Sequence, residues 1–138
     1  RGSDSIAIQE IAATDFEEYR EVNELILQGR KLGSDVLIAQ AKDSTTYDTV
    51  VISKAADAML AMSGIEASFV LAKNTQGFIS ISARSRSKIN VQRIMEELGG
   101  GGHFNLAAAQ IENMSLSEAG EKLTQLVLDE LKEKEKEE

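Results

Sequence analysis

The sequence has no cysteine, no proline, no tryptophan and one histidine, His103. Because cysteine is absent, neither a disulfide framework nor a thiolate metal site can form, and a cytosolic setting is favoured. No apolar run approaches the roughly 20 residues that span a bilayer, and the N-terminus lacks the basic and apolar layout of a secretion signal. The only aromatic residues are two tyrosines and four phenylalanines, too few to favour a surface that stacks nucleic-acid bases.

The composition, with 42% hydrophobic and 28% charged residues, is typical of a folded protein. A length of 138 residues suffices for one domain with a core. The formal net charge of −8 repels a polyanion on average. Residues 67–95, however, contain no acid and carry five bases: Lys73, Arg84, Arg86, Lys88 and Arg93. This basic window carries +5 and the remainder, with 23 acids and 10 bases, carries −13. The distribution predicts binding of one small anion rather than a long nucleic acid.

Hydrophobic periodicity predicts an α/β (α+β) fold, a small mixed sheet with helices packed on it. The predicted strands, bounded by turn residues, cover residues 36–41, 67–72, 78–84 and 106–111. The predicted helices, with apolar residues at helical spacing, cover residues 50–62, 91–98 and 116–131. Asn90 caps the second of these helices, and Ser115 or Ser117 opens the third.

A further helix is expected before this domain, with Thr14 and Asp15 at its N-cap and apolar spacing that continues to about Gln28. We divide the chain into three parts. Residues 1–31 hold a tag remnant, Arg1-Gly2-Ser3, and a connector helix; residues 34–131 form the main domain; residues 132–138 are a charged tail that frays into solvent.

The least ordinary stretch is Gly99-Gly100-Gly101-Gly102-His103. Glycine loses more backbone entropy on folding than any other residue, so four in a row need a reason. In one interpretation Gly99 caps a helix, the other glycines turn the chain and His103 is packed or solvated. In the interpretation that we favour, the loop amides face an anion to which the imidazole also donates. It is not a Walker loop, because no Lys-Ser or Lys-Thr follows.

A second polar group precedes the glycines by one predicted helix. Ser80, Ser82 and Arg84 alternate along a predicted strand, and Arg84 comes where that strand leaves the sheet. A guanidinium with neighbouring hydroxyls can hold a phosphate. If the intervening helix crosses back over the sheet, the two groups meet at one edge. The predicted anion site then consists of Ser82, Arg84, Ser85, Gly100, Gly101, Gly102 and His103. The alternative for Arg84 and Arg86 is a surface pairing with Glu96 or Glu97.

These motifs resemble a known family. Ser82-Ala83-Arg84-Ser85, the Asn90-Val91 helix start and the run Gly-Gly-Gly-Gly-His-Phe-Asn-Leu-Ala-Ala-Ala-Gln at 99–110 are similar to the C-terminal, substrate-binding domain of the DHH phosphoesterase superfamily. The resemblance covers residues 34–131 and is strongest to the membrane-anchored cyclic-di-AMP phosphodiesterases of the GdpP type. In the broader superfamily, nucleases included, the histidine is usually followed after two residues by small-small-Gly, and at those positions this chain has Leu106-Ala107-Ala108. That departure weighs against the nuclease branch.

The resemblance implies hydrolysis of a phosphodiester with two divalent metal ions, usually manganese, held by a preceding Asp-His-His domain. This chain has one histidine and no such motif, so it is expected to hold no metal and no catalytic residue and to be inactive by itself. The predicted anion site would orient a cyclic or linear adenine dinucleotide against those metals. The same resemblance implies a cytoplasmic domain of a membrane-anchored protein and leaves a homodimer open.

Two alternatives remain at this stage. One is half of an oligoribonuclease or adenosine bisphosphate phosphatase of the same superfamily. The other is a stand-alone nucleic-acid-binding module, whose affinity for RNA would fall as salt rises. The net charge of −8 opposes the second alternative.

Overall fold

The computed structural model describes residues 16–137, which contain four helices and seven strands. The helices are α1 (Phe16–Ile26), α2 (Thr49–Leu60), α3 (Val91–Glu97) and α4 (Leu116–Glu137). The strands are β1 (Gly29–Leu32), β2 (Val36–Gln40), β3 (Thr46–Tyr47), β4 (Ala67–Asn74), β5 (Ile79–Ser85), β6 (Gly101–Gly102) and β7 (Leu106–Ile111). The predicted α/β class, with helices packed on a mixed sheet, is confirmed.

The strands form one sheet in the order β1-β2-β4-β5-β7-β6, with β3 beside β4. Strand β2 is parallel to β4 because α2 forms the crossover between them. The pairs β1–β2, β4–β5, β5–β7 and β6–β7 are antiparallel. The predicted hairpin over residues 67–84 is therefore confirmed, and the strand after the glycines pairs with its second arm.

Alternation along the strands divides the core into two layers. On one face, Phe69, Leu71 and Ile81 belong to a buried cluster with residues of α3 and α4. On the other face, Val70 and Ala72 belong to a second cluster with residues of α1 and α2. The second face is open at β7, where Leu106, Ala108 and Gln110 are exposed.

Three local caps determine where the helices begin. The Asp48 carboxylate accepts from Val50 N at 2.9 Å before α2, and the Asn90 side chain accepts from Arg93 N at 3.1 Å before α3. The Ser115 hydroxyl accepts from Glu118 N at 3.0 Å, while Ser115 N donates to the Glu118 carboxylate at 3.4 Å. This reciprocal capping box identifies Ser115 as the residue that opens α4.

The structure differs from expectation at both ends of the chain. Residues 29–32 form an edge strand rather than the end of a connector helix, and Arg30 Nη2 donates to the Thr124 hydroxyl of α4 at 3.2 Å. Helix α4 continues to Glu137, where the sequence predicts a frayed tail, because Glu and Lys favour helix and Lys134 and Lys136 stabilise its C-terminus.

The expected N-cap residues Thr14 and Asp15 lie outside the described residues. None of the helices between residues 16 and 137 is long and apolar enough to cross a membrane.

Candidate functional site

The glycine run begins as a helix cap. Gly99 has a φ of +84°, in the left-handed region, immediately after α3. Its N–H donates to Glu96 O at 3.1 Å, and Gly100 N–H donates to Met95 O at 2.8 Å. This pair of hydrogen bonds is a Schellman motif, which satisfies two carbonyls at the helix C-terminus.

Two further glycines are required by close packing against β7. A Cβ on Gly100 would collide with Ala108 O and lie 2.6 Å from Ala109 Cα, and one on Gly102 would lie 2.5 Å from Ala107 Cα. Gly102 also has a φ of +145°. A Cβ on Gly101, by contrast, would meet no atom within 4 Å. Three of the four glycines therefore have a structural reason: Gly99 caps α3, and Gly100 and Gly102 pack against β7.

The amides of the run face three different directions. Gly100 N–H is used in the helix cap. His103 and Leu106 exchange two backbone hydrogen bonds, N to O, at 2.8 and 3.3 Å, so Gly101 and Ala108 occupy the next hydrogen-bonded position of the ladder. The alternation directs the Gly102 N–H away from β7, toward the free edge of the sheet. The three amides therefore do not converge on one point, and anion binding by any of them stays a prediction.

Arg84 lies on β5, on the face that α2 covers, with 8% of its surface exposed. Its Nε donates to Asp57 Oδ1 at 2.7 Å, and its Nη1 donates to Ala83 O at 3.0 Å. Within residues 16–137, Nη2 has no protein acceptor. The expected alternative partners, Glu96 and Glu97, belong to α3 on the other face, so α2 supplies the carboxylate instead.

Arg84 and His103 occupy one row across three strands. The register pairs Arg84 of β5 with Leu106 of β7, and the hairpin pairs Leu106 with His103. Cross-strand partners share a face of the sheet, and two strand spacings separate the Arg84 and His103 Cα atoms by about 10 Å. His103 is exposed. We call Arg84, Leu106 and His103 the phosphate row, because the guanidinium and the imidazole at its two ends are both hydrogen-bond donors that suit an anion.

The two predicted serines lie on opposite faces. Ser82 shares the face of Arg84, and its hydroxyl lies 3.2 Å from the Ser53 hydroxyl of α2. Ser85 is on the other face, because adjacent residues of a strand alternate. Its hydroxyl donates to Phe104 O at 3.2 Å, and its N–H donates to Asn105 O at 2.9 Å. Ser85 therefore lies on the face opposite Arg84 and fastens the glycine hairpin to the end of β5, while its expected role in anion binding stays a prediction.

The basic window does not form a single patch. Besides Arg84, two of its side chains form ion pairs, Lys73 with Asp43 at 3.0 Å and Arg93 with Glu130 at 3.5 Å. Arg86 donates to the carbonyl of Leu60 at the end of α2 and to that of Ile65. The positive charge that the window offers on the open face therefore comes from Arg84 and not from the window as a whole.

A cleft of about 310 Å³ lies beside the phosphate row, between α2 and strands β5 and β7. Its polar lining consists of Thr49, Ser53, Ser80, Ser82 and Gln110. The sequence reasoning missed the contribution of α2. Thr49, Ser53 and Asp57 recur every four residues, and this spacing places them in one polar stripe of a helix whose other residues, apart from Lys54, are apolar. That stripe is the signal that could have identified them.

Residues 16–137 include no group of three His, Cys, Asp or Glu side chains that could hold a metal ion. The metal pair implied by the resemblance therefore does not fit this part of the chain. What the described residues can do is bind and orient an anion with an attached polar group.

The comparisons with known proteins agree with the sequence motifs. Residues 33–134 match the DHHA1 domain family. The chain is 36% identical, over 94% of its length, to the cyclic-di-AMP phosphodiesterase GdpP of Geobacillus thermodenitrificans, and 38% identical, over 88%, to the cyclic-di-AMP phosphodiesterase PdeA of Listeria monocytogenes. The matched regions make up 20% and 19% of those two proteins, so the chain spans about a fifth of their length.

A solved structure has the same fold. The exopolyphosphatase-related protein from Bacteroides fragilis superposes with a TM-score of 0.70 at 19% identity, over 81% of this chain and 34% of that one. At this identity the likeness concerns the fold. Because the family match covers most of the described residues and the sequence relatives exceed one-third identity, this chain belongs to the DHHA1 domain family.

Proposed function

We propose that this chain is the substrate-binding part of a phosphodiesterase that hydrolyses cyclic-di-AMP to a linear dinucleotide. The observation that carries the proposal is the phosphate row, in which Arg84 and His103 flank Leu106 on the open face of the sheet. The similarity to GdpP and PdeA supports the identity of the substrate.

In this proposal the phosphate lies over Leu106. The Arg84 Nη2 group, which has no acceptor within residues 16–137, donates to one phosphate oxygen, and the His103 imidazole donates to another. Asp57 keeps the guanidinium oriented through Nε. Together these groups neutralise and orient the phosphate without reacting with it.

The cleavage step belongs to a separate Asp-His-His domain, together with its two divalent ions, manganese by the resemblance. The proposal places both domains on the cytoplasmic side of a membrane-anchored protein.

The test is a calorimetric titration of the 138-residue chain with cyclic-di-AMP. We expect Arg84→Ala and His103→Ala each to weaken binding roughly ten- to a hundredfold, because each removes a charge-assisted hydrogen bond of about 1.5–3 kcal/mol. The matched control is Arg93→Ala, which removes the same charge on the far side of the sheet and leaves affinity unchanged. His103 is exposed, so we expect His103→Ala to fold even if Arg84→Ala fails to fold.

Two results contradict the proposal. One is unaltered affinity in both variants while circular dichroism shows them folded; the other is the absence of binding by the wild-type chain at millimolar ligand. Tighter binding of adenosine 3′,5′-bisphosphate or of short oligoribonucleotides would instead favour the nuclease and phosphatase alternative. Binding of RNA that weakens steeply with salt would favour the nucleic-acid module.

A further inference from the structure

Ser80 presents an unused hydrogen-bond donor to the cleft. It is 7% exposed, and its hydroxyl oxygen accepts from Asn74 Nδ2 at 2.8 Å. The orientation of that amide is fixed, because Asn74 Oδ1 accepts from Gln76 N and Phe78 N at 2.9 and 3.1 Å. The Ser80 hydroxyl is therefore the acceptor in this bond and its own proton points elsewhere. No acceptor for it is found in the described part of the chain.

Gln110 stands directly across from Ser80. The two residues are partners in the β5–β7 register, so their side chains share the open face. Gln110 is exposed, lines the cleft, and its amide makes no hydrogen bond with residues 16–137. It therefore offers one donor and one acceptor to a ligand, beside the directed hydroxyl of Ser80.

The distance to the phosphate row suits one nucleotide. Gln110 is four residues beyond Leu106 on β7, so it lies about 13 Å along the strand from the row. Gln110 has a long, exposed side chain, which can shorten the gap that a ligand must bridge to about the length of a nucleoside monophosphate. A cleft of about 310 Å³ is at the lower end of the range for small-molecule sites.

We propose that Gln110 and Ser80 recognise the base of the nucleotide whose phosphate lies over the phosphate row, and that Gln110 selects adenine. This inference rests on the proposed function. An amide matches adenine because it accepts from N6 and donates to N7, whereas guanine presents two acceptors, O6 and N7, so the amide oxygen faces O6 unpaired. A bidentate amide–adenine pair discriminates against the wrong base roughly 5- to 150-fold.

The experiment compares cyclic-di-AMP with cyclic-di-GMP as ligands of the 138-residue chain. We expect the wild type to prefer cyclic-di-AMP and Gln110→Ala to lose that preference, because affinity for cyclic-di-AMP falls roughly 5- to 150-fold while that for cyclic-di-GMP stays. The 7-deazaadenine analogue of cyclic-di-AMP lacks the N7 acceptor. It should bind the wild type more weakly than cyclic-di-AMP does, and it should bind Gln110→Ala as tightly as cyclic-di-AMP does. Ser80→Ala should weaken cyclic-di-AMP binding too. The control is Gln92→Ala, which truncates a glutamine of α3.

The outcomes separate the inference from the proposed function. An unchanged preference in Gln110→Ala, or equal binding of both dinucleotides by the wild type, overturns base recognition by Gln110. If His103→Ala still weakens both ligands by the same factor, the phosphate row and the proposed function survive that result. Failure of the wild type to bind either dinucleotide overturns both.

Discussion

Arg84 and Asp57 form an ion pair of 2.7 Å in which the cation is buried and the anion is not, with 10% and 62% of their side chains exposed. The two partners should therefore respond differently to mutation. Asp57→Ala leaves a buried guanidinium without its carboxylate, and we expect the free energy of unfolding to fall by about 2 kcal/mol or more. Arg84→Met leaves a carboxylate that water already solvates, so the loss should be clearly smaller. Urea denaturation measures both.

The double variant Asp57→Ala with Arg84→Met is the control for this asymmetry. It should be more stable than Asp57→Ala, since the unpaired buried charge is then absent. If Arg84→Met destabilises the protein as much as Asp57→Ala, the buried position of the guanidinium is not what determines the effect.

The glycine run provides a matched pair of substitutions. Gly100→Ala forces a methyl group into the backbone of β7, and we expect the free energy of unfolding to fall by about 2–3 kcal/mol. Gly101→Ala places the methyl group in open space and should change stability by no more than about 0.5 kcal/mol. Thermal unfolding compares the two variants. Equal melting temperatures would show that the hairpin does not pack on β7 as described.

The parts of the fold that the sequence predicts are those with local signals. Periodicity and side chains near in sequence predict the hairpin over residues 67–84, the Asn90 cap and the strand over residues 106–111. Strands β1, β3 and β6 have two to four residues each and no periodic pattern, so tertiary pairing alone defines them.

The candidate site divides in the same way. The shared face of Ser82 and Arg84 follows from strand alternation, and the same rule would have placed Ser85 on the other face. The pairing of Arg84 with Asp57, 27 residues away, required the knowledge that α2 crosses that face. The packing of Gly100 on β7 likewise depends on a neighbour that no local pattern identifies.

Ser85 tests the corrected description of the site. Its hydroxyl bonds to the glycine hairpin and not to the ligand face, so Ser85→Ala should lower the free energy of unfolding by about 1 kcal/mol and leave the affinity for cyclic-di-AMP unchanged. Melting temperature and calorimetric affinity are measured on the same sample. The opposite pattern, weaker binding at an unchanged melting temperature, would return Ser85 to the anion site.

Tyr47 joins β3 to α1 and should make stability sensitive to alkaline pH. Its hydroxyl donates to Glu24 Oε1 at 3.1 Å, and burial, together with the Glu24 carboxylate, raises the pKa of Tyr47 from 10.0 to about 12. Above pH 10 the unfolded chain releases the phenolic proton while the folded chain keeps it. This contribution to stability is therefore complete below pH 10 and is lost as pH rises toward 12.

The measurement is the melting temperature of the wild type and of Tyr47→Phe across that interval. The wild type should be the more stable protein below pH 10 and should lose this advantage as pH approaches 12, because phenylalanine has no proton to release. The matched control is Tyr19→Phe, since Tyr19 lies on α1 and is 68% exposed. The melting temperature of this variant should fall with rising pH as steeply as that of the wild type, because Tyr47 is still present. Parallel curves for wild type and Tyr47→Phe would contradict a raised pKa at Tyr47 and, with it, the partly buried hydrogen bond between Tyr47 and Glu24 of α1.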